Sequence, residues 1–238
     1  MIMEVLDFEN PDCICIQEVL DAGKNSVRAS LKRIGYDMSN GSKSATKDRS
    51  YVAWKTKDYH VIDERTIDDI DVDAVRLQSD TNKTISLLSY HGLYGAEHSG
   101  GRLRELRSIM HLTDHRNPDS INASEDDVYL AGDFNALPNE IGMRAMRGLE
   151  GDAVYWTDAF DASPRVRGLE DGTSIRTGLG LITALNNDVL IPASLPKRRI
   201  DYILHQGWSY GKPGGFTNLK GVNRDDLSDH VILIAETL

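Results

Sequence analysis

Two short polar strings near opposite ends of the chain, Gly132-Asp133-Phe134-Asn135 and Ser228-Asp229-His230, constrain its fold more than any other feature. With Gln17-Glu18-Val19 upstream and Arg199-Ile200-Asp201-Tyr202-Ile203 between them, they make four widely separated polar clusters. Each follows or interrupts an apolar, strand-like run. Acids, amides and histidines are costly to bury, so strand ends meeting at one cleft explain the clusters better than a shared core does. The expectation is one domain of mixed strands and helices over residues 1–238, long enough to bury a sizeable core.

Periodicity fills in the elements. Ile2, Val5 and Leu6 have helical spacing up to the break at Asn10-Pro11-Asp12. Residues 13–16 read as a buried strand ending at Gln17-Glu18, with Cys13 and Cys15 on one face as small buried hydrophobes. Val27, Leu31 and Ile34 mark a second helix, stopped by Gly35. Residues 36–50 are polar and rich in Gly, Ser and Lys, and are expected to form a mobile loop. Strands are expected at residues 51–54, 59–62, 72–77 and 84–90, the last delivering His91. A helix with Leu103, Leu106 and Met110 on one side follows, then a strand at 127–131. Pro138 fits the first turn of a helix whose expected apolar face is Ile141, Ala145, Met146 and Leu149. Residues 161–196 read as loop-rich, and 200–204 and 231–235 as closing strands.

The net charge is −10, from 37 acids against 27 bases. A broad phosphate-gripping surface is usually basic, so nucleic-acid binding here would depend on local cations and a metal. Arg102, Arg104 and Arg107 on one helix, and Lys197-Arg198-Arg199, are the sources, although a solvated basic face is the favoured reading of both. No apolar run reaches membrane-helix length and no signal-peptide pattern is present, so the chain is expected to be soluble with no transmembrane segment. The nucleophile elbow, the dinucleotide fingerprint, the Walker loop and His-Glu-x-x-His are all missing from the sequence.

The clusters themselves suit phosphoester chemistry. Glu18, at a strand end, can hold a hard cation such as Mg²⁺, which needs only one or two protein carboxylates; an exposed strand-end glutamate is the equal alternative. Asp133 and Asn135 project from one side of an extended segment. The aspartate can orient a water while the neutral amide donates to a phosphate oxygen, and an Asx turn is the alternative. Asp201, a lone acid in a strand-like run, needs a partner, for which His230 is the candidate, leaving Asp229 to face a metal. His91 is the second functional histidine, whereas His60, His98, His111, His115 and His205 read as structural or surface residues.

Taken together, Pro11-Asp12-Cys13-Ile14-Cys15-Ile16-Gln17-Glu18-Val19, Ser89-Tyr90-His91, Leu130-Ala131-Gly132-Asp133-Phe134-Asn135, Arg199-Ile200-Asp201-Tyr202-Ile203 and Ser228-Asp229-His230 resemble the endonuclease/exonuclease/phosphatase superfamily, which includes deoxyribonuclease I, exonuclease III, neutral sphingomyelinases, inositol polyphosphate 5-phosphatases and deadenylases. The resemblance runs from the first residues to the last. It implies an α/β fold, a four-layer sandwich of two mixed sheets packed face to face with helices outside. It also implies Glu18 as the Mg²⁺ ligand (Mn²⁺ is the alternative metal), Asp133 and Asn135 contacting nucleophile and phosphate, Asp201 paired with His230, and Asp229 helping with the metal. His91 matches the deoxyribonuclease I and sphingomyelinase branches, where it has an acidic partner, here Asp71 or Asp73. Members begin with a strand that delivers an asparagine, whereas this chain starts inside the following helix. It is therefore expected to lack that strand and to carry two unpaired ladder edges. The implied activity is metal-dependent hydrolysis of a P–O bond, with nucleic acid as the first substrate class. A phospholipid or inositol phosphate is the alternative substrate, and a truncated non-catalytic relative the alternative of a different class.

Overall fold

Side-chain alternation along one early strand sets the layering. β1 (Cys13–Leu20) follows α1 (Ile2–Glu9) and is apolar on both faces. Cys13 and Cys15 pack with Val52, Trp54, Val75 and Leu77. Ile14 and Ile16 point the other way, into a cluster with Leu31, Tyr36 and Tyr51. Burial pushes both thiols up, Cys15 to about 12, so they are packing groups. The computed structural model describes residues 2–43, 48–122, 127–152, 156–163, 166–167, 199–206, 216–222 and 232–237.

Next come α2 (Lys24–Arg33), β2 (Tyr36–Met38), β3 (Asp48–Lys55), β4 (Tyr59–Thr66), β5 (Val72–Ser79) and β6 (Thr84–His91). They are followed by α3 (Ser99–Thr113), β7 (Asp127–Asp133), α4 (Ile141–Met146), β8 (Thr157–Asp158), α5 (Ala159–Ala162) and β9 (Val166–Arg167). β10 (Asp201–Gln206), β11 (Phe216–Val222) and β12 (Ile232–Thr237) complete the order. A six-stranded mixed sheet runs β4-β5-β6-β7-β10-β8, with β6 and β7 parallel. Opposite its inner face lie the antiparallel β1-β3-β2 ladder, joined through the Val52–Val75 core, and the β12-β11-β9 ladder, whose Leu233 and Ala235 share a cluster around buried Ala159 with Tyr129 and Ile203. Leu6 of α1 and Leu31 of α2 cover the outside of β1-β3-β2. Leu106 and Ile109 of α3 and Met143 and Met146 of α4 cover the outside of the large sheet. These layers make the expected α/β sandwich. Among the described residues, β1 and β12 each keep one ladder edge without a strand partner.

Two expectations need correction. The polar stretch from residue 36 onward is not a loop throughout: β2 occupies Tyr36–Met38, and Ser39, Ser42 and Ser50 are buried. Buried hydroxyls need partners, and aspartates at the start of the β5 hairpin supply them. The helix after Pro138 begins only at Ile141, and its inner face is Gly142, Met143, Ala145 and Met146, while Ile141 and Leu149 are exposed. Asp229 and His230 lie outside the described residues, as do Lys197, Arg198 and most of 161–196.

Candidate active site

Register brings three of the singled-out residues side by side. Asp133 ends β7; across the parallel ladder its partner is His91, and across the antiparallel ladder it is Asp201. Adjacent strands are about 4.8 Å apart, and directly paired residues share a face. Phe134, between Asp133 and Asn135, is fully buried and packs edge-on against Tyr90 and Tyr202, both at 5.1 Å between ring centroids. That anchor fixes the polar pair on either side of it. Asp133 Oδ1 accepts the Asn135 backbone N–H at 2.7 Å, and Asn135 Nδ2 donates to the Gly92 carbonyl at 2.9 Å. Gly132 adopts φ +145°, and a Cβ there would lie 2.1 Å from the Tyr90 carbonyl oxygen. Only glycine lets β7 run this close to β6.

Glu18 reaches the same place by a bulge. The β1–β3 register shifts between Ile16 and Val19, and Glu18 takes φ +60°, a left-handed conformation costly for a side-chain-bearing residue. Gln17 Nε2 donates to Ser89 Oγ at 2.7 Å, and Ser89 in turn donates to the Ile16 carbonyl at 3.1 Å, pinning the bulge to β6 across the two layers. The result sets Glu18 Oε1 3.6 Å from His91 Nε2, with the carboxylate still largely exposed.

His91 Nδ1 faces Asp71 Oδ2 at 3.4 Å, which assigns its acidic partner: Asp71, not Asp73. Burial alone would lower the His91 pKa, but Asp71, Asp133 and Glu18 around the ring outweigh it and raise the value above 6.5. The imidazolium form is thereby favoured in the fold. The Asp201–His230 pair and the place of Asp229 rest on residues outside those described.

Asp73 sits two residues on from Asp71, on the same face and 1 % exposed. Its Oδ2 accepts the Val52 N–H at 3.0 Å and the Ser39 hydroxyl. Burial raises its pKa from 3.8 to about 7, against the pull of those two hydrogen bonds. The native state therefore binds the extra proton between those limits, so this group's stabilisation is complete below 3.8 and is lost as pH rises to about 7. Asp73→Asn is expected to flatten the decline in urea-unfolding free energy over that window by more than about 1 kcal/mol. A variant with the wild-type slope would show that Asp73 is ionised throughout.

The cations named from the sequence are mostly committed elsewhere. Arg102 is buried and bonded to Glu140, Arg107 pairs with Asp152, and Arg199 pairs with buried Asp158 while stacking on Phe160. Arg104 is exposed. Of the histidines set aside, His205 is a buried structural residue, stacked on Tyr129 and paired with Asp127. Among the described residues no group of three or more His, Cys, Asp or Glu side chains is arranged to enclose a metal ion. Glu18 nevertheless fits a hard cation that takes one carboxylate and completes its shell with water and substrate oxygens: it is an open, anionic oxygen donor in a strained, pinned position. Among the described residues no helix is long and apolar enough to cross a membrane.

Comparison with known proteins agrees with the layers. The model of the endonuclease/exonuclease/phosphatase family matches residues 1–230. An endonuclease/exonuclease/phosphatase from Bacteroides vulgatus superposes with a TM-score of 0.75 at 17 % identity, covering 100 % of this chain and 89 % of that one. A mannosyl-6-phosphatase from Bacteroides thetaiotaomicron gives 0.73 at 14 % identity, covering 100 % and 89 %. D. rerio TDP2 complexed with a single-strand DNA product gives 0.69 at 15 % identity, covering 98 % and 88 %. No curated protein matches the sequence.

Proposed function

Because the chain belongs to the endonuclease/exonuclease/phosphatase family, whose members are metal-dependent phosphoester hydrolases, we propose that it hydrolyses a phosphodiester, with nucleic acid as the first substrate class. The observation that carries the proposal is His91, held between Asp71 and Glu18 and beside Asp133 on the next strand. Glu18, aided by Asp229, would hold a divalent cation, Mg²⁺ or in its place Mn²⁺, which supplies Lewis-acid stabilisation of charge on the phosphate oxygens. Asp133, adjacent on the next strand, orients the attacking water in line with the scissile bond. His91 donates from Nε2 to a phosphate oxygen, and the acids around the ring favour its charged form. One N–H of the Asn135 amide holds Gly92, and its second N–H is directed to the substrate. Asp201 orients the His230 imidazole, which exchanges the proton of the water or leaving oxygen.

A second reading, hydrolysis of a small phosphorylated substrate, draws on the cations. Arg102, Arg107 and Arg199 are bonded to acids of this chain, which argues against a broad grip on a polyanion. The mannosyl-6-phosphatase and the DNA-bound TDP2 among the similar folds represent the two readings.

The test is turnover of bis-p-nitrophenyl phosphate, p-nitrophenyl phosphate and supercoiled plasmid, with Mg²⁺ and with EDTA, beside His91→Ala and His230→Ala. Metal-dependent diester cleavage that falls by about two orders of magnitude in each variant is the expected result. Turnover of the monoester alone would favour the small-substrate reading, and wild-type rates in both variants would end the assignment.

A further inference from the structure

The two oxygens of the Asp71 carboxylate face different tasks. Oδ1 accepts the Ser42 hydroxyl and the Ser50 backbone N–H, the latter at 2.8 Å. Oδ2 is buried with no hydrogen-bond partner and faces His91 Nδ1 at 3.4 Å. A carboxylate held on one oxygen by two donors cannot swivel, so its second oxygen is aimed.

The segment that presents Ser42 is held far more firmly than a connection between two strands requires. Lys24 Nζ donates to the Asn40 carbonyl at 2.6 Å, Arg28 to that of Ser39, and Arg49 to that of Ser42. The backbone N–H groups of Ser39 and Ser42 donate to Val52 and Ser50, at 2.9 and 3.0 Å. Gly41 takes φ +90°, and a Cβ there would meet the Tyr51 ring at 2.3 Å. Ordering four residues this tightly costs several kcal/mol of chain entropy. Local stability alone does not call for it, since the hairpin already has its β2–β3 ladder.

We propose that Ser42 is a positioning residue for His91: its hydroxyl fixes Asp71 so that Oδ2 receives the Nδ1 proton, leaving Nε2 turned toward Glu18 and the substrate. A carboxylate can only accept, and Asp71 is the nearer and the buried one of the two that face the ring, Glu18 being largely exposed, so the neutral ring held this way carries its proton on Nδ1. The 3.4 Å separation is longer than an ordinary N–H···O bond, as is common before a substrate tightens the site. The kinetic part of this inference rests on the reading that His91 contacts the substrate; the ring tautomer does not.

Ser39 provides an internal control. It makes the same kind of bond, hydroxyl to carboxylate, from the same segment, but to Asp73 in place of Asp71. Ring ¹⁵N shifts of His91, followed with rising pH until they stop changing and the ring is neutral, report the tautomer directly. The wild-type protein is expected to show Nδ1–H. Ser42→Ala is expected to show a tautomer mixture, with kcat on bis-p-nitrophenyl phosphate about tenfold lower and KM unchanged. Ser42→Thr should restore both, and Ser39→Ala should match wild type in both. A wild-type ring protonated on Nε2 overturns the proposal, as does Ser42→Ala with the wild-type tautomer, or Ser39→Ala with as large a change. If the wild-type protein turns over no phosphoester at all, the proposed function fails, and the ring shifts still decide the role of Ser42.

Discussion

Asp133→Ala is expected to lower turnover by about two to three orders of magnitude, the range for a group that orients the nucleophile in the transition state. The argument is positional: Asp133 is the register partner of both His91 and Asp201, so no other described acid lies between the two. Alanine removes two things, the charge and the acceptor that turns the backbone at Asn135. Asp133→Asn separates them, because its amide oxygen can still accept the Asn135 N–H. We expect Asp133→Asn to unfold at nearly the wild-type urea concentration and yet to lose about as much activity as the alanine variant. The negative charge at 133 is also among the groups that raise the His91 pKa. Its removal should move the His91 limb of the pH–rate profile to lower pH. An active Asp133→Asn, with the profile unmoved, would take Asp133 out of the reaction.

How far such a site can be read from sequence depends on how local its constraints are. Asp133 and Asn135 were legible as a polar pair around Phe134, but the extended geometry expected of them stops at Asp133, where β7 ends: Asn135 takes φ +49° and its N–H bonds Asp133 Oδ1, the Asx turn named as the alternative. His91 was legible as a titratable group closing an apolar run. The choice between Asp71 and Asp73 was not, since both lie on one face of the β5 hairpin and only the β5–β6 register, which sets Val72 opposite Tyr90 and Asp73 opposite Ser89, tells them apart. The segment 39–42 was misread for the converse reason. Its serines and glycine have loop composition, and the acids that bury those serines lie 29 and 34 residues further along the chain. Lone aspartates within Ile70-Asp71-Val72-Asp73-Ala74 were the available signal, because two buried acids require donors from somewhere. Arg102 was likewise read with its helix neighbours as surface charge, although it is 1 % exposed. Charge identity shows which residues can pair and says nothing of which face the helix buries.

Arg102 is also where the largest loss of stability is expected. Its Nη1 donates to the carbonyls of Leu93 and Gly95, at 2.7 and 2.6 Å, and its Nη2 to Glu140 Oε2 at 2.6 Å. Glu140 Oε1 in turn accepts the Leu137 N–H at 3.0 Å. One guanidinium therefore ties the loop that follows His91 to the loop that follows Asp133 and Asn135. Arg102→Met fills much of the same volume but takes the guanidinium from the Leu93 carbonyl and a partly buried carboxylate, and leaves Gly95 only the His98 N–H. Breaking such a pair from one side costs about 3 kcal/mol. For a chain of this length that corresponds to a Tm lower by roughly 6–12 °C. Arg102→Lys should recover little of it, because an ammonium cannot present the planar fork that serves three acceptors at once. Adding Glu140→Gln to Arg102→Met should cost less than the sum of the single changes, since the stranded charge is then removed. Additive losses would mean that Arg102 and Glu140 act independently. In that case the two loops would owe their placement to Phe134 and the Asn135–Gly92 bond alone, and activity per folded molecule should be unaffected by Arg102→Met.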